Sequence, residues 1–424
     1  MNTNNVSTKP RPQSVKKFYF LEYFYVLLKS VQSSSHTERI FEQFLELKQK
    51  YRLGESRYKR RVLEAEGSPN RMVRYRYTFE QVVMEAKDYG FVVSDNGSIS
   101  LTDSGQKIIS TYEDDGAVEC YQTLFKYMED KYQAFRYLIE TCYANNPEKS
   151  GLLIFPIYSA YRLGINRDSI KTSSDLNNYF DTLQKRLEDD IQKYLNQQCS
   201  LSDKNKELVS SLIDSEIIPN DPSQPFNPTK YNVIMKRVRD FWLKYFLQDL
   251  YNFSISLNAF EIWAYRGKQA GVFHITEFYP DPNFSGRLVY PLCVVRGSTN
   301  SEQFDNLFKY SDGKNLYLHQ PSWDNEETQE EFLQQLHYAY LDIRNQVRSY
   351  FVNLLSVRER VCYTMRIPEY LFDQFLGYAY RLRSKIRISL EVDKLPEETK
   401  VMYVRREPVV VDGKSRNIIA VDLN

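Results

Sequence analysis

Glu261 with Lys268, and Glu391 with Asp393 and Lys394, come nearest in this 424-residue chain to a metal-assisted nuclease site. Such a site needs an Asp followed by a tight Glu-x-Lys on a strand, so that the carboxylates hold a divalent ion and the lysine faces the phosphate. Neither grouping has that spacing, and a divergent restriction-type nuclease is the alternative to a non-enzymatic protein. The four histidines, His36, His274, His319 and His337, form no HxxxH or HxH pair, which argues against zinc. The five cysteines, Cys120, Cys142, Cys199, Cys293 and Cys362, are odd in number and never spaced CxxC, so buried reduced thiols are expected. Neither GxxxxGK nor GxGxxG occurs to cradle a nucleotide, and no GxSxG marks a serine nucleophile. These patterns point to no catalytic residue, metal or cofactor.

A different chemistry is concentrated ahead of residue 77. Met1 to Arg76 holds sixteen Lys and Arg against seven Asp and Glu, while the rest of the chain is net acidic. Arg52, Arg57, Lys59, Arg60, Arg61, Arg71, Arg74 and Arg76 are interleaved with Tyr58, Tyr75 and Tyr77. Guanidinium forks suit phosphate and guanine, and tyrosine rings beside them suit a nucleic-acid surface. Double-stranded DNA is the expected partner, and a solvated basic loop pairing with acidic side chains is the plainer reading. Lys236, Arg237 and Arg239 lie outside an aromatic helical stripe. Arg381, Arg383 and Lys385 crowd a helix end, where they suit either a phosphate or the negative end of the helix dipole.

The elements that must position the first cluster are legible around it. "TFEQVVMEAKDYG" places Phe79, Val82, Val83 and Ala86 on one helical face, with Thr78 and Gln81 as a capping box and Gly90 at the left-handed C′ position. "GFVVSDNGSISLTDSGQKIIS" then predicts a strand, an Asn-Gly turn, a second strand and a helix. "LTDSGQKII" resembles the wing-to-helix segment of winged-helix domains, and the resemblance runs from Thr78 to Ser110. It implies a helix and wing set against DNA, or a module of the same fold that docks proteins.

The whole chain reads as α+β and mostly α, with tandem winged-helix-like modules joined by a helical linker. Residues 1–14 read as a flexible tail, 15–114 as the first module, 115–200 as the linker and 201–300 as the second module. Residues 301–424 read as a C-terminal helical region, with one helix over 329–355, another opened by Pro368, and a β-hairpin turning at Asp412 and Gly413. Within the second module, "FEIWAYRGKQAGVFHITEFYP" reads as two strands. In the linker, "RLGINRDSIKTSSDLNNYFDTL" has helix-turn-helix spacing. Thirty-four Tyr and twenty-five Phe imply an aromatic core or an interface; Phe241, Trp242, Tyr245 and Phe246 separate the two, because an interface would leave them exposed. No apolar run reaches the roughly 18 residues of a transmembrane helix, so no membrane partner and a cytoplasmic location are expected. The combined expectation is a DNA-binding or adaptor subunit of a multi-subunit complex, of the kind found in bacterial genome-defence or chromosome-organising assemblies. A purely protein-binding scaffold stands beside it.

Overall fold

A computed structural model describes residues 15–51, 69–95, 97–136, 139, 152–156, 169–195, 197–225, 227–253, 255–275, 289–294, 297–298, 305–309, 315–318, 321–382, 386–392 and 409–423. The fold is mostly helical with a few small antiparallel sheets, an α+β arrangement dominated by helix. It divides into two compact units, one of Met1–Leu153, Ser254–Thr276 and Leu292–Asn424, the other of Ile154–Phe253 and Glu277–Pro291. Residues 201–300 are thereby shared between the units.

In the first unit the chain runs through α1 (Glu22–Ser33), α2 (Thr37–Lys50), α3 (Pro69–Asp88), β1 (Val92–Asp95), β2 (Ser98–Leu101), α4 (Asp103–Ser110) and α5 (Ala117–Lys131). Phe24, Leu27 and Leu28 of α1, Ile40 and Phe44 of α2 and Phe79, Val82 and Ala86 of α3 close over one another. α3 begins nine residues before the expected start. Pro69, whose missing N–H costs nothing in a first turn, opens it, and Thr78 sits mid-helix with its hydroxyl turned back to the Arg74 carbonyl. Its end is as expected. Gly90 has φ +73° and donates to the Lys87 carbonyl, and Phe91 N donates to the Ala86 carbonyl.

β1 and β2 form an antiparallel pair, Val92 opposite Leu101 and Asp95 opposite Ser98. A single antiparallel bridge joins His36, between α1 and α2, to Ser98, and Ile99 N donates to the Ser35 carbonyl. Thr102 caps α4 by accepting from Gly105 N at 3.1 Å. A Cβ on Gly105 would lie 2.2 Å from the Phe91 carbonyl oxygen, so the glycine of "LTDSG" lets α4 pack on the backbone between α3 and β1.

β3 (Leu152–Pro156) precedes the helices of the second unit, α6 (Ser173–Leu195), α7 (Ser202–Asp214) and α8 (Tyr231–Tyr245). α6 starts in a capping box: Thr172 Oγ1 accepts from Asp175 N, and Asp175 Oδ2 accepts from Thr172 N. Most of the first half of the helix-turn-helix spacing falls outside the described residues. Trp242 and Phe246 are fully buried while Phe241 and Tyr245 are half-buried, so this stretch forms core and presents no exposed aromatic patch.

The first unit resumes with α9 (Leu257–Gln269), followed by β4 (Phe273–Ile275) and β5 (Val289–Val294), which pair antiparallel through Phe273 and Val294. α9 replaces the first of the two expected strands. Ser256 caps it by accepting from Ala259 N, and its near-continuous apolar run is buried around most of the helix, which hides the period. β6 (Gly297–Ser298), β7 (Asp305–Lys309) and β8 (Asn315–Leu318) make a small sheet in the order β6-β8-β7.

The C-terminal core lies among α10 (Glu326–Val347), α11 (Leu354–Met365) and α12 (Glu369–Arg381) and the sheet β10-β13-β9, where β9 is Val352–Asn353, β10 is Ile386–Glu391 and β13 is Ile418–Leu423. The long helix expected from residue 329 to 355 breaks at Arg348, which adopts φ 53°. Val352 and Asn353 pair with β13, and Asn353 caps α11 by accepting from Ser356 N. β11 (Val409–Val411) and β12 (Lys414–Arg416) form the expected hairpin, its turn carried by positive φ at Asp412 and Gly413.

Candidate nucleic-acid interface

α2 and α3 cross where Phe79 packs on Phe41 and Phe44, ring centroids 5.3 and 5.4 Å away. The first turns of α3 carry their side chains outward: Met72, Val73, Arg74 and Tyr77 are exposed. Arg76 is different. Its guanidinium pairs with Glu38 and lies 3.9 Å from the Phe41 ring centroid, so it joins α3 to α2. Lys48 Nζ sits 4.0 Å over the Tyr75 ring and is buried at the same crossing. Arg74 in these first turns is exposed, as is Lys87 in the last turn of the helix. Arg71 lies on α3, and nothing is described of its side chain. Arg52, Arg57, Lys59, Arg60 and Arg61 lie outside the described residues.

The solvent face of α3 is mixed in character. Val73, Tyr77, Glu80 and Met84 follow one another at four-, three- and four-residue spacing and are all exposed, Val73 to 67%. The β1–β2 hairpin holds no Lys or Arg between Phe91 and Leu101.

Elsewhere the expected cations are scattered. Arg237 is exposed on α8; Lys236 and Arg239 lie on the same helix without described side chains. Arg381 reaches Asp412 at 2.8 Å and so holds the β11–β12 turn, while Arg383 and Lys385 lie outside the described residues.

The most developed polar arrangement is one that sequence reasoning missed. Glu85 of α3 and Arg266 of α9 are both 0% exposed. Arg266 donates from Nη1 to Glu85 Oε1 at 2.8 Å and from Nη2 to Oε2 at 2.9 Å, a bidentate fork. Its Nη2 also donates to the Phe18 carbonyl at 3.0 Å, and the guanidinium lies 4.3 Å from the Phe18 ring centroid. Tyr89 and Tyr132 donate their hydroxyls to Glu85 Oε1 at 2.9 and 3.1 Å. Burial works against the arginine's charge, but Glu85 outweighs it and holds Arg266 above its ordinary pKa. Burial, reinforced by Glu85, also pushes both tyrosine hydroxyls up, so they serve as donors and not as acids. The signal for this site was Glu85 itself, three residues after Val82 and four before Tyr89, inside the buried stripe.

Of the residues weighed for nuclease chemistry, Lys268 is committed to an ion pair with Glu369 at 3.0 Å. Glu391 is exposed at the end of β10, Glu261 has no described side chain, and Asp393 and Lys394 lie outside the described residues. Among the described residues no three His, Cys, Asp or Glu side chains converge on a metal position. Among them, too, no helix is long and apolar enough to cross a membrane. No family model, curated protein or solved structure matches the chain.

Proposed function

We propose that this chain is a non-enzymatic, DNA-engaging adaptor subunit of a larger assembly. In this reading residues 15–114 form a winged-helix module that contacts duplex DNA through the basic segment ahead of α3 and the first turns of α3. The observation that carries it is the outward projection of those turns, with Arg74 exposed directly downstream of the Arg- and Tyr-rich segment. The order α1, α2, α3, β1, β2 supports the module, as does the His36–Ser98 bridge, which stands where winged helices place a short strand between their first two helices. Helix and wing are the parts such modules set against a duplex.

A second reading, docking of a protein on α3, is favoured by one observation, the exposed row Val73, Tyr77 and Met84. One comparison separates them. Arg71→Glu with Arg74→Glu is expected to weaken duplex binding at least tenfold in a fluorescence anisotropy titration, while Val73→Glu with Met84→Glu leaves it within about twofold. Equal binding by the first variant and the parent contradicts the DNA reading of α3.

A further inference from the structure

The last turn of α9 carries three polar side chains, and each is tied to a different part of the first unit. Arg266 reaches back to Glu85 on α3 and to the Phe18 carbonyl. Gln269 accepts from Leu21 N at 2.9 Å and donates to Glu22 Oε2 at 2.6 Å, at the start of α1. Lys268 points to the C-terminal region, where Glu369 takes Lys268 on Oε1 at 3.0 Å and Arg358 on Oε2 at 3.2 Å; Arg358 also reaches Asp373 at 3.3 Å. Arg358 is 2% exposed. The close approach behind this is made at Gly271, with φ +73°, where a Cβ would stand 2.7 Å from Tyr370 Cε1 and 3.3 Å from Pro368 Cβ. On the N-terminal side ring contacts add to these polar ties, Trp263 lying 5.7 Å from Tyr132 and 5.3 Å from Phe135, and Tyr265 5.4 Å from Phe20.

We infer that α9 is a two-ended clamp that couples the seating of α3 in the N-terminal helices to the seating of α12 in the C-terminal core. One end rests on a pair fully removed from water and the other on charges largely removed from it, and such charges tolerate little displacement before a partner is left uncompensated. The two anchors are two residues apart on one rigid helical turn, so α9 cannot shift to relax one without straining the other. A ligand or partner that moves either region is thereby felt at the other, whatever that ligand is. The coupling does not depend on the DNA reading.

Amide hydrogen exchange on the full-length chain tests this, with α7 in the other unit as the internal reference. Lys268→Met removes only the C-terminal anchor. It is expected to raise exchange at least tenfold in α12 and also in α3, with α7 unchanged. Arg266→Lys keeps the charge but loses the fork, and is expected to raise exchange in α3 and in α12. If the rise stays at the substituted end, or spreads uniformly to α7, the clamp is refuted. Should Arg266→Lys fail to fold, the Lys268→Met result in α3 decides alone.

Discussion

Glu85 is a carboxylate with no access to water, so its three donors, Arg266, Tyr89 and Tyr132, set its energy. Arg266→Met leaves that charge uncompensated and should destabilise the protein by about 3–5 kcal/mol, the range for breaking a buried pair. Glu85→Gln with Arg266→Met removes both charges and should cost clearly less. Urea unfolding measures both, and an equal loss from the single and the double variant contradicts the ion-pair account. Asp373 makes the opposite use of burial. Burial pushes its carboxyl up to about 6 from an ordinary 3.8, against the pull of Arg358. Between about pH 4 and pH 6 the folded chain therefore keeps a proton that the unfolded chain has released. That contribution to stability is complete below about pH 4 and is lost as pH rises through 6. The stability of the parent relative to Asp373→Asn should accordingly fall between pH 4 and pH 7, by at most about 3 kcal/mol. Urea unfolding at four pH values checks it, and a difference that is flat or rises with pH contradicts it.

At the scale of elements, α4 leans on the turn between α3 and β1 through a contact only glycine permits. Gly105→Ala drives a methyl group into the Phe91 carbonyl, so backbone must move. A loss of about 1–3 kcal/mol is expected, and a variant melting at the parent's temperature contradicts the packing. This junction was legible in the sequence because its signals are local: the glycine after α3, the Asn-Gly turn, and Thr102 three residues ahead of Gly105. The β11–β12 turn and the start of α12 after Pro368 were legible for the same reason. α9 was not, because a helix buried around most of its girth shows no period of 3.6, and "FEIWAY" alternates as well as a strand does. The early start of α3 was masked by Thr78, whose cap-like sequence context is spent on the Arg74 carbonyl. The break at Arg348 was invisible for a third reason, since what ends α10 is the pairing of Val352 and Asn353 with a strand more than sixty residues later. The candidate site divides in the same way. Basic residues announce themselves by type, but Arg76 and Arg381 are drawn to Glu38 and Asp412 by neighbours that composition does not reveal.

For the whole molecule, an almost neutral total conceals an N-terminal excess of positive charge balanced by an acidic remainder. A protein with that distribution can bring a polyanion to one end while the rest stays available to other subunits. The clamp made by α9 gives such an arrangement a mechanical consequence, since the helix nearest the basic segment is braced against the C-terminal core. The proposed contact is between the basic segment and duplex DNA. Its most direct test is the salt dependence of duplex binding by the full-length chain, compared with a variant carrying Arg57→Glu, Lys59→Glu, Arg60→Glu and Arg61→Glu. Each phosphate neutralised contributes about −0.9 to the slope of log Kobs against log salt. The account predicts weak binding by the variant and a slope shallower by roughly 3 to 4. Binding of the variant with the parent's affinity and the parent's slope would contradict it.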